Sequence, residues 1–154
     1  MNKFNLKYRR LNAEELKYFE KEFIDFLVIN GITVEDWVSM KKEYLEKAET
    51  IIEKFSDVIF ESILRKTKYI DFISPKSIKT FHCLPNEMVL VGVDAPKNSN
   101  IDFTQNLTSD LTDLEVYTHS KKYNKQREIE IFQLINSGAQ ISKGEWFKKL
   151  CLLL

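Results

Sequence analysis

The sequence predicts an α+β fold: N-terminal helices, a small mostly antiparallel sheet of three to four strands, and C-terminal helices. Three observations predict it. Apolar residues recur at helical spacing behind two capping signals in the first half, from about residue 12 to 66. The pattern then shifts to short β-branched and aromatic runs separated by proline turns, and a helical period returns near the end. At 154 residues with 44% hydrophobic content, the chain can bury one sizeable core and is short for two. A single domain over 1–154 is therefore expected, with a sheet-containing half at about 67–154.

A first helix should begin at Ala13, because Asn12 can cap the amide of Glu15 while Glu15 reaches back, and Leu11 and Leu16 occupy staple positions. Its apolar face would be Leu16, Phe19, Phe23, Phe26 and Leu27, with Gly31 as a left-handed stop. Thr33 starts the next helix, helped by Glu35 and Asp36 and the pair Ile32 and Trp37. An unbroken helix from Val34 to Lys66 would be too long for a compact domain, so a break is expected near Leu45. Beyond it Ile51, Ile52, Phe55, Val58, Ile59 and Ile63 form a wide stripe, and Phe23, Phe55 and Ile59 should be nearly fully buried.

Tyr69–Ile73, Ile78–Leu84 and Met88–Val93 read as a meander split by Ser74-Pro75-Lys76 and Pro85-Asn86. The last run barely alternates, which predicts a strand inside the sheet and covered on both faces. Ala95 to Thr112 reads as a polar loop with a short helix and as the most mobile part of the chain. A fourth strand is expected over Leu114–Thr118 and a helix over Lys125–Ser137. At the end, a capping box of Ser142 and Glu145 predicts a helix bearing Phe147, Leu150, Cys151 and Leu154, against a rival hairpin turning at Lys143-Gly144.

Charge is balanced, 23 basic against 23 acidic residues, so no global field draws the chain to nucleic acid or an anionic membrane. The N-terminus lacks a secretory apolar run and no stretch reaches membrane-spanning length, which predicts a soluble cytoplasmic protein. Cys83 and Cys151 suit reduced thiols, and Asn106-Leu107-Thr108 then matches a glycosylation acceptor by chance. Four dispersed glycines make no phosphate loop, and no cofactor or metal is expected.

Local charge is more informative. His119-Ser120-Lys121-Lys122-Tyr123-Asn124-Lys125-Gln126-Arg127 contains four basic side chains and no acid. Lys121, Lys122, Lys125 and Arg127 supply a positive field and Tyr123 a flat face, the combination that suits a phosphate backbone or an acidic protein surface. The competing view is a solvated turn leading into the first turn of a helix, with Arg127 lying along the core. Lys3, Lys7, Arg9 and Arg10 form a second acid-free run. The expected function is binding or regulation through this basic patch, with an unknown protein or nucleic acid as partner. The alternative is a small enzyme using His82, His119 or Cys83 in a cleft. His82 and Cys83 should face opposite sides of a strand, which weakens a shared metal, and Asp110 with Asp113 is the best carboxylate pair. Cys151-Leu152-Leu153-Leu154 also fits a prenylation signal, with Lys148-Lys149 upstream, although a terminal helix closing the core explains the same residues.

Four blocks together resemble a family of short uncharacterised bacterial proteins, mainly from Bacteroidota, that share a domain of unknown function. They are Leu6-Lys7-Tyr8-Arg9-Arg10-Leu11, Phe55-Ser56-Asp57-Val58-Ile59-Phe60-Glu61, Ser74-Pro75-Lys76, and His119 to Tyr123 continuing to Arg127-Glu128-Ile129-Glu130-Ile131-Phe132. The resemblance implies a bacterial cytoplasmic protein, in which prenylation has no place. It implies no catalytic residues.

Overall fold

Both predicted N-terminal capping boxes form in the computed structural model, which describes residues 4–105, 111 and 113–154. The chain divides into two units, Met1–Ile63 and Leu64–Leu154. In the first, Asn12 and Glu15 cap α1 (Ala13–Tyr18), and Thr33 and Asp36 cap α3 (Val34–Glu43). Between them runs α2 (Glu20–Ile29). The single first helix expected from the periodicity is thus two, kinked at Phe19 with φ −97° and ψ 25°. Hydrogen bonding continues through the kink, since Phe19 N–H donates to Glu15 O and Phe23 N–H to Phe19 O. Gly31, at φ 71°, stops α2 as expected: Ile32 N–H reaches Leu27 O at 2.8 Å and Gly31 N–H reaches Val28 O at 3.0 Å.

The break expected near Leu45 occurs at Tyr44, after which α4 (Leu45–Lys66) runs from the first unit into the second. Leu11, Phe55 and Ile59 are the buried centre of the first unit, with Leu16, Phe19, Phe23 and Phe26 packed around them. Two burial expectations need correction. Val58 is 52% exposed, one position outside the stripe set by Phe55 and Ile59, and Phe23 is only partly buried although its ring meets Phe55 and Trp37. Backbone amides of the N-terminal segment dock on α4: Lys7 and Tyr8 donate to the Asp57 carboxylate at 2.8 and 3.0 Å, and Leu11 donates to Ser56 Oγ at 2.9 Å.

The second unit is built on a sheet of β1 (Tyr69–Ser74), β2 (Ser77–Cys83), β3 (Glu87–Asp94), β4 (Val116–Lys122) and β5 (Gln140–Ser142), in the order β4-β3-β2-β1-β5. All pairings are antiparallel. The sheet therefore has five strands rather than three to four, because Gln140–Ser142 pairs with β1 through Tyr69↔Ser142 and Asp71↔Gln140. Three residues are too few to show a strand period. Helices α5 (Arg127–Asn136) and α6 (Glu145–Cys151) complete the unit. The expected Ser142–Glu145 capping box does not form. Gly144, at φ 83°, is the N-cap of α6, and its N–H donates to Ser142 Oγ at 3.1 Å.

Cross-strand partners share a face, so Ile78, Val93 and Val116 lie on one side of the sheet and Phe81, Leu90 and His119 on the other. The first side holds the core of Ile78, Val91, Val93, Phe103, Leu111 and Leu150, closed by α6. Cys151 and Leu153 pack against this core, whereas Leu154, expected in the stripe, is 61% exposed and lies beyond the helix. The expected loop from Ala95 is anchored where it is described: Lys76 Nζ donates to Ser99 O and Ile101 O, and Phe103 is buried. The glycosylation match at 106–108, Asp110 of the carboxylate pair and Lys3 of the N-terminal basic run lie outside the described residues.

Candidate functional site

His119 to Lys122 end a strand rather than form a turn, because β4 extends four residues beyond the expected Thr118. Polar residues on both faces of this edge strand hid its period. Thr118, His119, Ser120, Lys121 and Lys122 are all exposed. Tyr123 to Gln126 connect to α5, where Gln126 is the N-cap.

Beside β4 lies a groove of about 460 Å³ between the sheet and α5. Phe81, Met88, Leu90 and Leu134 give it an apolar lining, while His119, Lys121, Lys122 and Tyr123 bring the basic segment to its rim. This size and mixture suit a ligand or a partner side chain. Glu130 organises the rim from α5. Its carboxylate faces Lys121 Nζ at 3.5 Å and accepts the Lys125 amide at 3.1 Å. Lys121 keeps 66% of its side chain exposed despite this pairing.

Arg127 has a different place. Its guanidinium donates to Leu64 O and Cys83 O, both at 3.0 Å, to Leu84 O at 3.3 Å, and to Thr67 O. A fifth contact pairs it with Glu128 at 3.3 Å. Leu64 lies in the last turn of α4 and Thr67 just past it, where the helix's terminal carbonyls favour a cation, and a planar fork of donors reaches both; Leu64 O also accepts the Thr67 amide at 3.2 Å. Tyr123 shares the arrangement by donating to Leu84 O at 2.8 Å. Burial, foremost, pushes its hydroxyl up to about 12. The ring therefore sits at the groove with its hydroxyl already engaged.

Arg9 and Arg10 belong to the first unit. Arg9 forms a two-pronged pair with Glu15, both bonds 2.8 Å, and its guanidinium stands 4.7 Å from the Phe60 ring centroid. The Arg9 hydrogen bond, foremost, holds the Glu15 carboxyl down at about 2. The Arg10 side chain is exposed, and Lys7 pairs with Glu61 at 3.0 Å.

Of the residues of the enzyme alternative, His82 and Cys83 border one cleft of about 820 Å³ from opposite faces of β2, and His119 lies at the separate groove beside β4. His82 shares a face with Tyr69, stacked on it at 4.4 Å, and with Phe147 at 5.4 Å. Burial, then Lys148 and Lys68, lowers its pKa. Cys83 points to the other face, and β3 separates β2 from the strand carrying His119. Burial pushes the Cys83 thiol up to about 11, against a lesser opposing effect of Arg127. A neutral thiol away from a histidine is a poor nucleophile. Among the described residues, no three His, Cys, Asp or Glu side chains cluster to hold a metal. None of the helices is long and apolar enough to cross a membrane, among the described residues.

Sequence reasoning missed the groove and the carbonyl clamp because both join residues far apart in the chain. It did identify the four blocks, and the structure joins the first to the second and ties together the two stretches of the fourth. Lys7, Tyr8 and Leu11 of the first block bond to Asp57 and Ser56 of the second, while Tyr123 and Arg127 of the fourth meet at Leu84 O. No curated protein and no solved structure matches the chain. Residues 6–154 match the family of unknown function DUF6495, and the chain belongs to that family.

Proposed function

We infer that this protein is a non-enzymatic binding or regulatory protein that engages an acidic or phosphate-bearing partner through the basic segment after Thr118. The observation that carries this reading is the meeting of an exposed basic strand end with an apolar-lined groove: Lys121 and Lys122 belong to both, and half-buried Tyr123 follows them at the groove. Lys121, Lys122 and Lys125 would supply the charge, Tyr123 an aromatic surface and the groove apolar contact. Arg127 would hold the strand and helix ends that position them, since its donors face carbonyls. Arg9 and Arg10 are a secondary basic element of the same proposal. We set the protein in a bacterial cytoplasm, where Cys83 and Cys151 stay reduced.

The test is affinity capture from native lysate with the full chain and with a Lys121→Gln, Lys122→Gln, Lys125→Gln variant, each with and without nuclease. A partner retained by the parent and lost from the variant is expected, and nuclease treatment sorts nucleic acid from protein. Equal capture of the same partners by both chains would overturn the reading.

A further inference from the structure

The basic-patch reading fixes a charge and leaves the partner's form open, and the position of β4 supplies the form. β4 is an edge of the five-stranded sheet, and among the described residues no strand lies beyond it. An edge strand presents a row of N–H and C=O groups ready for another strand. β4 has seven residues for this purpose, against three in β5 at the opposite edge.

The adjoining groove gives an added strand somewhere to put its side chains. Phe81, Leu90 and His119 form a row across β2, β3 and β4, and this row lines the groove. A strand beside β4 extends the row by one position, so alternate side chains on that face would project over the groove. Charge selects the occupant. Lysines on an edge oppose pairing with a second copy, whose own lysines would approach them, and favour a strand with acidic side chains. A carboxylate on the groove face of the incoming strand can join Lys121, whose contact with Glu130 is long at 3.5 Å, and one on the opposite face can meet Lys122.

Resting on the basic-patch reading, we propose that the partner is an extended acidic peptide that adds as a further strand along β4, its alternate apolar side chains in the groove and its carboxylates against Lys121 and Lys122. The test pans short random peptides displayed on phage against the full chain, then adds the enriched sequences as synthetic peptides to isotope-labelled protein. Acidic sequences with alternating apolar residues are expected. Alternate amides within Val116–Lys122 should exchange with solvent at least about tenfold more slowly when peptide is bound, the mark of a new ladder. Lys121→Glu with Lys122→Glu should weaken binding by about tenfold or more, and Lys121→Gln with Lys122→Gln gives the same sign if the acidic pair disturbs folding. Acidic peptides that bind without protecting β4 would overturn strand addition and leave the basic-patch reading in place. So would binding of an oligonucleotide in place of any peptide. Enrichment of neutral or basic peptides, or equal binding by parent and lysine variants, would overturn both.

Discussion

Arg127 satisfies four backbone carbonyls at once, drawn from Leu64, Thr67, Cys83 and Leu84. Its side chain is only 15% exposed, so little water is available to replace it. Arg127→Met should therefore destabilise the protein by roughly 3 kcal/mol, since buried acceptors lose charge-assisted partners. Arg127→Lys should recover part of this, because a lysine reaches fewer carbonyls in that geometry. Urea unfolding checks both, and a loss below about 1 kcal/mol for methionine would mean that solvent reaches the carbonyls. Arg9 presents the contrast. Its pairing with Glu15 lowers the carboxyl from 4.5 to about 2, so the contribution to stability is present above about pH 4.5 and disappears as the pH falls toward 2. Both side chains are solvated, 44% and 29% exposed, so Glu15→Gln should cost less than about 1 kcal/mol at neutral pH. The difference between parent and variant should vanish in melts near pH 2, and a difference that grows with acid would contradict the pairing.

Among the elements, α4 carries the heaviest packing in the first unit. Phe55 is 1% exposed and meets the rings of Phe23 and Phe26 at 4.9 and 5.4 Å. Phe55→Ala should cost about 3 to 5 kcal/mol, the range for buried aromatic truncation, whereas Val58→Ala on the exposed flank should cost less than about 1. Chemical denaturation of the two variants reads this contrast directly. Locally encoded features of these elements were legible in the sequence. The Asn12 and Thr33 capping boxes and the Gly31 stop each act within a few residues, and the break near Leu45 follows from a length limit. β5 and the last residues of β4 were not legible for a different reason. A strand as short as Gln140–Ser142 is defined by its partner β1, and His119 to Lys122 are polar at successive positions because they lie on an edge. The basic half of the candidate site could be read from composition, but its groove could not. Phe81, Leu90 and Leu134 meet only through the pairing of β2 with β3 and the placement of α5.

At the scale of the whole molecule, 23 positive and 23 negative residues leave no net charge to attract a polyanion from a distance. Any affinity for an acidic partner must then reside in local contacts, which makes the proposed patch separable from the rest of the chain. Replacing Lys121, Lys122 and Lys125 with Gln should leave the unfolding midpoint almost unchanged, because exposed charges contribute little to stability. Binding should respond instead, in a way that identifies the partner. For a nucleic acid, log affinity falls linearly with log salt, and each lost phosphate contact reduces the slope by about 0.7 to 0.9. Three lysines acting independently would remove a slope of roughly 2 to 3. For an acidic peptide strand the salt dependence should be shallower, because ladder hydrogen bonds and groove contacts do not release counterions, and the variant should associate more slowly. Titrations of both chains across a salt series distinguish these cases. A parent and variant with the same affinity at every salt concentration would place recognition away from β4.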